Sequence, residues 1–199
     1  MFRFLMLVSF LISLSLPALA GFEEGRKAYD AKDWTAAITE LRPLAQAGDD
    51  RAMVLLGNMY AEGNGVAQDY KEAISLFTQA ADQKNNLEAM VFIASMHVAG
   101  LGVEKSFDAA LPYAKRAAEG GNQAGAFLYA NLLAEGSKPD FYNVYKWYRL
   151  SLQSDAYPQF HKTAQDLSRR IAAEKLKSDE KTRADLEVSS WKPITPQKP

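Results

Sequence analysis

The fold is decided by residues 52–81, which read AMVLLGNMYAEGNGVAQDYKEAISLFTQAA, and by two near copies that follow. The second copy begins at Ala89 (AMVFIASMHVAGLGVEKSFDAALPYAKRAA) and the third at Gly125 (GAFLYANLLAEGSKPDFYNVYKWYRLSLQ). Their starting points are separated by 89 − 52 = 37 and 125 − 89 = 36 residues. A period of this length is typical of helical solenoids, in which each two-helix unit buries its apolar face against its neighbours.

Each copy predicts a helix, a turn and a second helix. In the first copy, Ala52, Leu56 and Met59 recur at steps of three and four residues, which is the stripe of an amphipathic helix. Gly63 is expected to end that helix in the left-handed conformation, and Gly65 to hold a second position of positive φ, as Gly102 does in the second copy. The second helix is predicted over residues 69–81, with inward positions Ala73, Leu76, Phe77 and Ala80.

The flanking sequence completes an all-α prediction, a right-handed α–α superhelical solenoid. Residues 21–48 predict a divergent tetratricopeptide-like unit that contains Asp33 and Trp34 but lacks the G-x-G insertion. Three repeats are predicted over 49–158, and two capping helices over 159–191 close the exposed end of the array. Residues 192–199 are rich in proline and lysine and are expected to be disordered.

The repeats resemble the Sel-one-like repeat family, a subclass of tetratricopeptide-like solenoids. The resemblance covers nearly all of the chain after residue 20, and it strongly implies the fold while saying little about function. It rests on the pattern A…LG..Y..G.GV..D...A..W...AA, which is met by Ala52, Leu56, Gly57, Tyr60, Gly63, Gly65, Val66, Asp69, Ala73, Ala80 and Ala81.

The sequence departs from this family pattern in three places. Leu76 and Tyr113 stand where the family often has tryptophan, which only Trp147 supplies, and His97 replaces a tyrosine. The third copy has residues 136–139, Gly-Ser-Lys-Pro, in place of G-x-G-V. Its turn is therefore expected to be shorter and stiffer than the other two.

The first twenty residues predict a cleavable export signal. Arg3 supplies a positive charge, residues 5–16 are apolar, and Ala18-Leu19-Ala20 forms an A-x-A cleavage site before Gly21. The apolar segment is shorter than the ~20 residues that a membrane-spanning helix needs. We therefore expect a periplasmic or secreted protein that has no stable membrane insertion after cleavage.

Composition and motifs argue against most catalytic chemistry. The chain has no cysteine, so disulfides, thiolate metal sites and a cysteine nucleophile are excluded. A formal net charge of −1 does not suggest binding to nucleic acid. His97 is expected to be a packed histidine with its polar atoms satisfied, and His161 lacks neighbouring partners for a metal site. No catalytic residue, cofactor or metal is predicted.

The aromatic cluster over residues 141–148 is the most unusual patch. It comprises Phe141, Tyr142, Tyr145, Trp147 and Tyr148. Because tyrosine and tryptophan bury large apolar areas, we expect this cluster to belong to the core. The alternative is that one or two of its rings stay exposed and are candidate contact residues.

The family resemblance implies where a partner would bind. In tetratricopeptide-like arrays the first helices line the concave face, and short polar residues there can hydrogen-bond an extended peptide beside an apolar strip. On the first helices of the three copies, Asn58, Ser95 and Asn131 form a polar ladder one repeat apart. Val54, Val91 and Phe127 form the apolar strip beside it. The positions implied are Arg51, Val54, Asn58, Glu62, Glu88, Val91, Ser95, Ala99, Ala124, Phe127, Asn131 and Glu135.

The sequence thus favours a non-catalytic protein–protein interaction module, an adaptor, scaffold or regulator of the bacterial cell envelope. Its partner would be another protein or an extended peptide segment. One alternative is an enzyme acting on cell-wall material or β-lactams, although the family's relatives of that kind are rich in cysteine. Another alternative is a peptidoglycan or carbohydrate binder that uses exposed rings such as Tyr145 and Tyr148.

Overall fold

A computed structural model describes residues 21–153 and 158–194. Secondary structure in these ranges is helical, with no strand. The chain divides into two compact units, one ending at Lys84 and the other beginning at Asn85, and each is described by itself. The predicted export signal, residues 1–20, lies outside the described residues.

The first unit has two helix pairs. Helix α1 covers residues 21–30, α2 Trp34–Gln46, α3 Asp50–Glu62 and α4 Tyr70–Lys84. Acidic caps start the second and third helices: the Asp33 carboxylate accepts a hydrogen bond from the N–H of Ala36 at 3.1 Å, and the Asp49 carboxylate accepts those of Arg51 and Ala52.

The second unit has six helices in the described ranges. These are α5 Leu87–Ala99, α6 Phe107–Glu119, α7 Gln123–Glu135, α8 Phe141–Leu150, α9 Pro158–Glu174 and α10 Ser178–Ser190. Successive helices from α5 to α9 pack on one another, and α10 returns to pack on α8. Asn86, Ser106, Asn122 and Asp140 are the N-caps of α5 to α8.

The inward stripes predicted from the periodicity are confirmed. Ala52, Leu56 and Met59 of α3 are buried, as are all four predicted positions of α4. Small residues set the spacing, because a Cβ on Gly57 would stand 2.6 Å from the ring of Phe77. The two helices therefore approach closely where α3 lacks a side chain.

The predicted glycine conformations of the first two turns are also confirmed. Gly63 has φ +73° and Gly65 has φ +72°, and the matching residues of the second turn, Gly100 and Gly102, have φ +74° and +72°. The N–H of Gly63 donates to the Met59 carbonyl, which closes α3. Two glycines per turn are required because other residues rarely adopt positive φ.

The third turn has a different geometry. It spans five residues, 136–140, whereas the first two span seven, 63–69 and 100–106. Gly136 is extended, with φ −63° and ψ 155°. The prediction of a shorter third turn is confirmed.

The carboxyl-terminal helices are tied to α8 by polar contacts. The Tyr145 hydroxyl donates to the Asp185 carboxylate at 2.7 Å, and the Arg149 guanidinium lies 3.2 Å from the same carboxylate. Beyond α10 the Ile194 N–H donates to the Glu119 carbonyl at 2.7 Å, and Pro193 lies against Gly121. The prediction of disorder is therefore wrong for Pro193 and Ile194, which contact the end of α6 and the turn that follows it, and residues 195–199 lie outside the described ranges.

Candidate interaction surface

The predicted contact residue at the start of α3 is held by its own chain. The Arg51 guanidinium pairs with the Asp49 carboxylate at 2.8 Å and lies 4.0 Å from the ring centroid of Phe22. Burial raises the pKa of Asp49, but hydrogen bonds from the Arg51 side chain and the Ala52 N–H outweigh it, so this pKa lies below its ordinary value. Arg51 therefore remains exposed but already has two partners.

The prediction that Val54 lines a groove is wrong. Its side chain is 3% exposed and belongs to the core of the first unit. Farther along α3, Asn58 is half-buried and Glu62 is exposed. The Glu62 carboxylate accepts a hydrogen bond from the Asn64 side-chain amide at 2.5 Å. The apolar strip proposed for α3 thus turns inward, and its polar neighbours remain at the surface.

Helix α5 retains the surface predicted for it. Ser95 and Glu88 are exposed, Val91 is half-buried between them, and Ala99 is exposed at the end of the helix. These positions are three or four residues apart and share one face of the helix. A serine hydroxyl beside a valine can serve both an extended backbone and an apolar side chain.

The equivalent face of α7 is partly covered. The Phe127 ring stacks on Phe160 of α9 with 4.9 Å between centroids and 11° between planes. The Asn131 carbonyl oxygen accepts a hydrogen bond from the Tyr148 hydroxyl at 2.6 Å. Ala124 is also buried. Phe127 and Asn131 were predicted to contact a partner, and instead Phe127 contacts α9 and Asn131 contacts α8.

Glu135 is the predicted contact residue of α7 that stays exposed. Burial raises the pKa of Tyr148 to about 12, and the nearby negative charge of Glu135 adds to this effect. Tyr148 is therefore a neutral hydrogen-bond donor at physiological pH.

The aromatic cluster is core, as preferred from the sequence. Tyr145, Trp147 and Tyr148 are buried, the two tyrosines to 2% exposure, whereas Phe141 and Tyr142 are half-buried. Trp147 makes edge contacts with the rings of Tyr129 and Trp191. The two tyrosines named for a carbohydrate-binding alternative cannot present their ring faces to a sugar.

His97 is packed, but it is not satisfied as predicted. Its ring lies 6.3 Å from the ring of Tyr113, nearly parallel, and its Nδ1 atom is buried with no hydrogen-bond partner in the described ranges. Among the same residues, no group of three or more His, Asp or Glu side chains could hold a metal ion. The described helices include none that is long and apolar enough to cross a membrane.

A cavity that the sequence reasoning missed lies where α6 begins and α7 ends. It has a volume of about 790 Å³, and we call it the junction cavity. Phe107, which lines this cavity, is 42% exposed. The short third turn was the feature of the sequence that could have indicated this cavity. Its consequence is hard to foresee, because the residues left uncovered are in α6 of the preceding repeat. The residues that bound the junction cavity include Phe107, Leu111, Leu132, Leu133, Glu135 and Gly136.

Comparisons with known proteins agree with this helical architecture. The sequence model described as Sel1 repeat matches residues 50–85 and 87–122, so the chain contains two Sel1 repeats. The structure is similar to that of a Sel1 repeat protein from Oxalobacter formigenes, with TM-score 0.68, 25% identity, and coverage of 86% of this chain and 72% of that one. The fold class is an all-helical α–α solenoid, as predicted from the sequence.

A second solved structure is c5321, a protective antigen of uropathogenic Escherichia coli strains that displays an SLR fold. It has TM-score 0.49 and 20% identity, and the alignment covers 85% of this chain and 44% of that one. A search of curated proteins finds no match. Sel1 repeats generally mediate protein–protein interactions and form scaffolds that are typically non-catalytic.

Proposed function

We propose that this chain is a non-catalytic adaptor that binds another protein in the bacterial cell envelope. The two Sel1 repeats support the binding role, because repeats of this kind generally recognise proteins. The envelope location is supported by the sequence of residues 1–20, with its single basic residue, apolar segment and A-x-A site.

The exposed face of α5 is the surface that carries this proposal. Of the first helices in the second unit, α5 exposes the Ser95 side chain, whereas on α7 the equivalent Asn131 is half-buried and bonded to Tyr148, and Phe127 stacks on Phe160. Ser95 offers both a donor and an acceptor to an extended backbone, and Val91 offers an apolar contact beside it. This contrast between α5 and α7 is the observation that supports the proposed surface.

Site-specific crosslinking in the cell envelope tests the role. A photoreactive residue at position 91 of the exported protein should capture a partner, and Ser95→Arg should abolish the capture by placing a long cation in the face. Ser75→Arg is a matched control, since Ser75 is also an exposed serine in the middle of a helix. Capture that survives Ser95→Arg would remove α5 as the binding face.

The export part of the proposal is tested separately. Mass spectrometry of protein recovered from the envelope should show an amino terminus at Gly21, as cleavage after Ala20 requires. Recovery only from the cytoplasm with residues 1–20 retained would contradict the envelope location.

A further inference from the structure

In the first unit, a repeat turn closes over two side chains at the start of α2. Trp34 is the first residue of α2 after its N-cap, and Ile38 is the fifth. A Cβ placed on Gly65 would lie 2.5 Å from the Trp34 Cβ and 3.0 Å from the Ile38 Cδ1. The backbone of the turn therefore rests directly on these side chains, and only a glycine permits that approach.

Helix α6 presents the same two positions without such a cover. Phe107 is the first residue of α6 after its N-cap, Ser106, and Leu111 is the fifth. The turn that follows α7 is two residues shorter than the turn that follows α3, and the left-handed glycine pair is missing. The junction cavity occupies the space beside Phe107 and Leu111. An apolar floor that a repeat turn covers in the first unit is thus open here.

The carboxyl end of α7, at the wall of this cavity, is also incomplete. Helices α3 and α5 end with a glycine N–H that donates to a carbonyl of the last turn, but no such bond closes α7 in the described part of the chain. The last turn of α7 holds no basic residue and ends in Glu135, for which the described ranges show no ion pair. Free carbonyls and a carboxylate at a helix carboxyl end together favour a cation.

The charges around the cavity agree with this preference. The lining includes three acidic residues, Asp108, Glu135 and Asp140, and two lysines, Lys105 and Lys138. Lys105 is drawn toward the floor, with its ammonium 5.4 Å from the ring centroid of Phe107. The lining therefore keeps a net negative charge of about one after its lysines are counted.

We propose that the junction cavity docks a short segment of a partner protein that carries an aliphatic side chain followed closely by lysine or arginine. The aliphatic side chain packs on Phe107 and Leu111, in the place that a repeat turn takes on Trp34 and Ile38. The cation binds Glu135 and the last carbonyls of α7. This assignment rests on the proposed function, since it requires a protein partner, and it adds the chemistry of the segment that is recognised.

A displayed library of random seven-residue peptides is the probe. The purified chain should enrich peptides with a leucine, isoleucine or valine one to three positions before a lysine or arginine. A synthetic peptide of the enriched sequence should bind about tenfold more weakly to Phe107→Ser and several-fold more weakly to Glu135→Gln, as for anchor residues of an interface. Added salt should weaken binding to the parent more than to Glu135→Gln.

Two matched variants control for general effects of these substitutions. Leu186→Ser removes another exposed apolar side chain, and Glu174→Gln neutralises another glutamate at the last position of a helix. Both should bind the peptide like the parent.

Enrichment of acidic peptides, or no enrichment at all, would overturn the assignment. Binding of the enriched peptide to Phe107→Ser and Glu135→Gln as tight as to the parent would overturn it too. Crosslinking from position 91 distinguishes this failure from failure of the proposed function, because capture through α5 does not require the junction cavity to be a binding site.

Discussion

The first and third repeat turns join equivalent helices but leave different surfaces behind. The turn after α3 has seven residues and two left-handed glycines, and it covers the start of α2. The turn after α7 has five residues and an extended glycine, and a cavity remains at the start of α6. The difference shows that a repeat turn can be a packing element as well as a connection. Shortening it exposes residues that lie one repeat upstream.

The comparison is tested most strongly by valine at the two glycines. Gly65→Val should cost about 3 kcal/mol, because a β-branched residue is strained at φ +72° and its Cβ would collide with Trp34. Gly136→Val should cost less than about 0.5 kcal/mol, since Gly136 has negative φ and its Cβ would meet only the Leu133 carbonyl at 3.5 Å. Urea unfolding measures both, and equal midpoints would erase the distinction between the turns.

The covered and uncovered aromatic residues should also differ. Trp34→Ala should lose about 2 kcal/mol, because it removes a half-buried ring that packs edge-on against Tyr29. Phe107→Ala should lose less than about 0.5 kcal/mol, as expected of an exposed side chain with little packing. Thermal unfolding followed by circular dichroism would show a shift for the first variant alone. A comparable loss in Phe107→Ala would mean that its ring is packed.

The ladder asparagines extend the contrast to the first helices themselves. Asn131→Ala should cost on the order of 1–2 kcal/mol, because it leaves the buried Tyr148 hydroxyl without its acceptor. Asn58→Ala should stay within about 0.5 kcal/mol, since Asn58 is a half-buried residue near the surface of α3. Urea denaturation of the two variants and the parent measures both changes in the free energy of unfolding. A stable Asn131→Ala variant would return this residue to the set of available contact positions.

Transplanting the turn should have the smallest effect on stability. Replacing residues 136–140 by the seven residues of 63–69, Gly-Asn-Gly-Val-Ala-Gln-Asp, should stabilise the chain by roughly 0.5 kcal/mol by covering Phe107. The aspartate at the end of the insert retains an N-cap for α8. Protection of Phe107→Trp fluorescence from an added quencher would report the cover. An unprotected tryptophan would show that the turn does not close on α6.

Much of this fold could be predicted from the spacing of small and apolar residues. Positive φ at Gly63, Gly65 and Gly102 followed from the recurrence of glycine after a helix, because a local rule governs those positions. The surface was harder to predict, since it depends on contacts between distant parts of the sequence. Phe127 was assigned to a groove because nothing in its own repeat indicates that Phe160 stacks on it.

Burial of Val54 illustrates a second limit of the sequence reasoning. Positions 51, 54 and 58 share a face of α3 by spacing, but the helix in the first unit is covered over a wider arc than the pattern implies. Asn58 remains half-buried at the edge of that covered arc. Spacing orders the positions around a helix and does not tell how far the neighbouring helices extend.

The stacking of Phe160 on Phe127 also limits how the array can lengthen. Repeat proteins grow by duplication of whole units, each of which needs an open face on its predecessor. Here α9 covers α7, and α10 lies on α8, so a unit inserted after Leu150 would have to displace both helices. Longer descendants of this chain would therefore arise from duplications placed upstream of α7, with the terminal helices inherited unchanged.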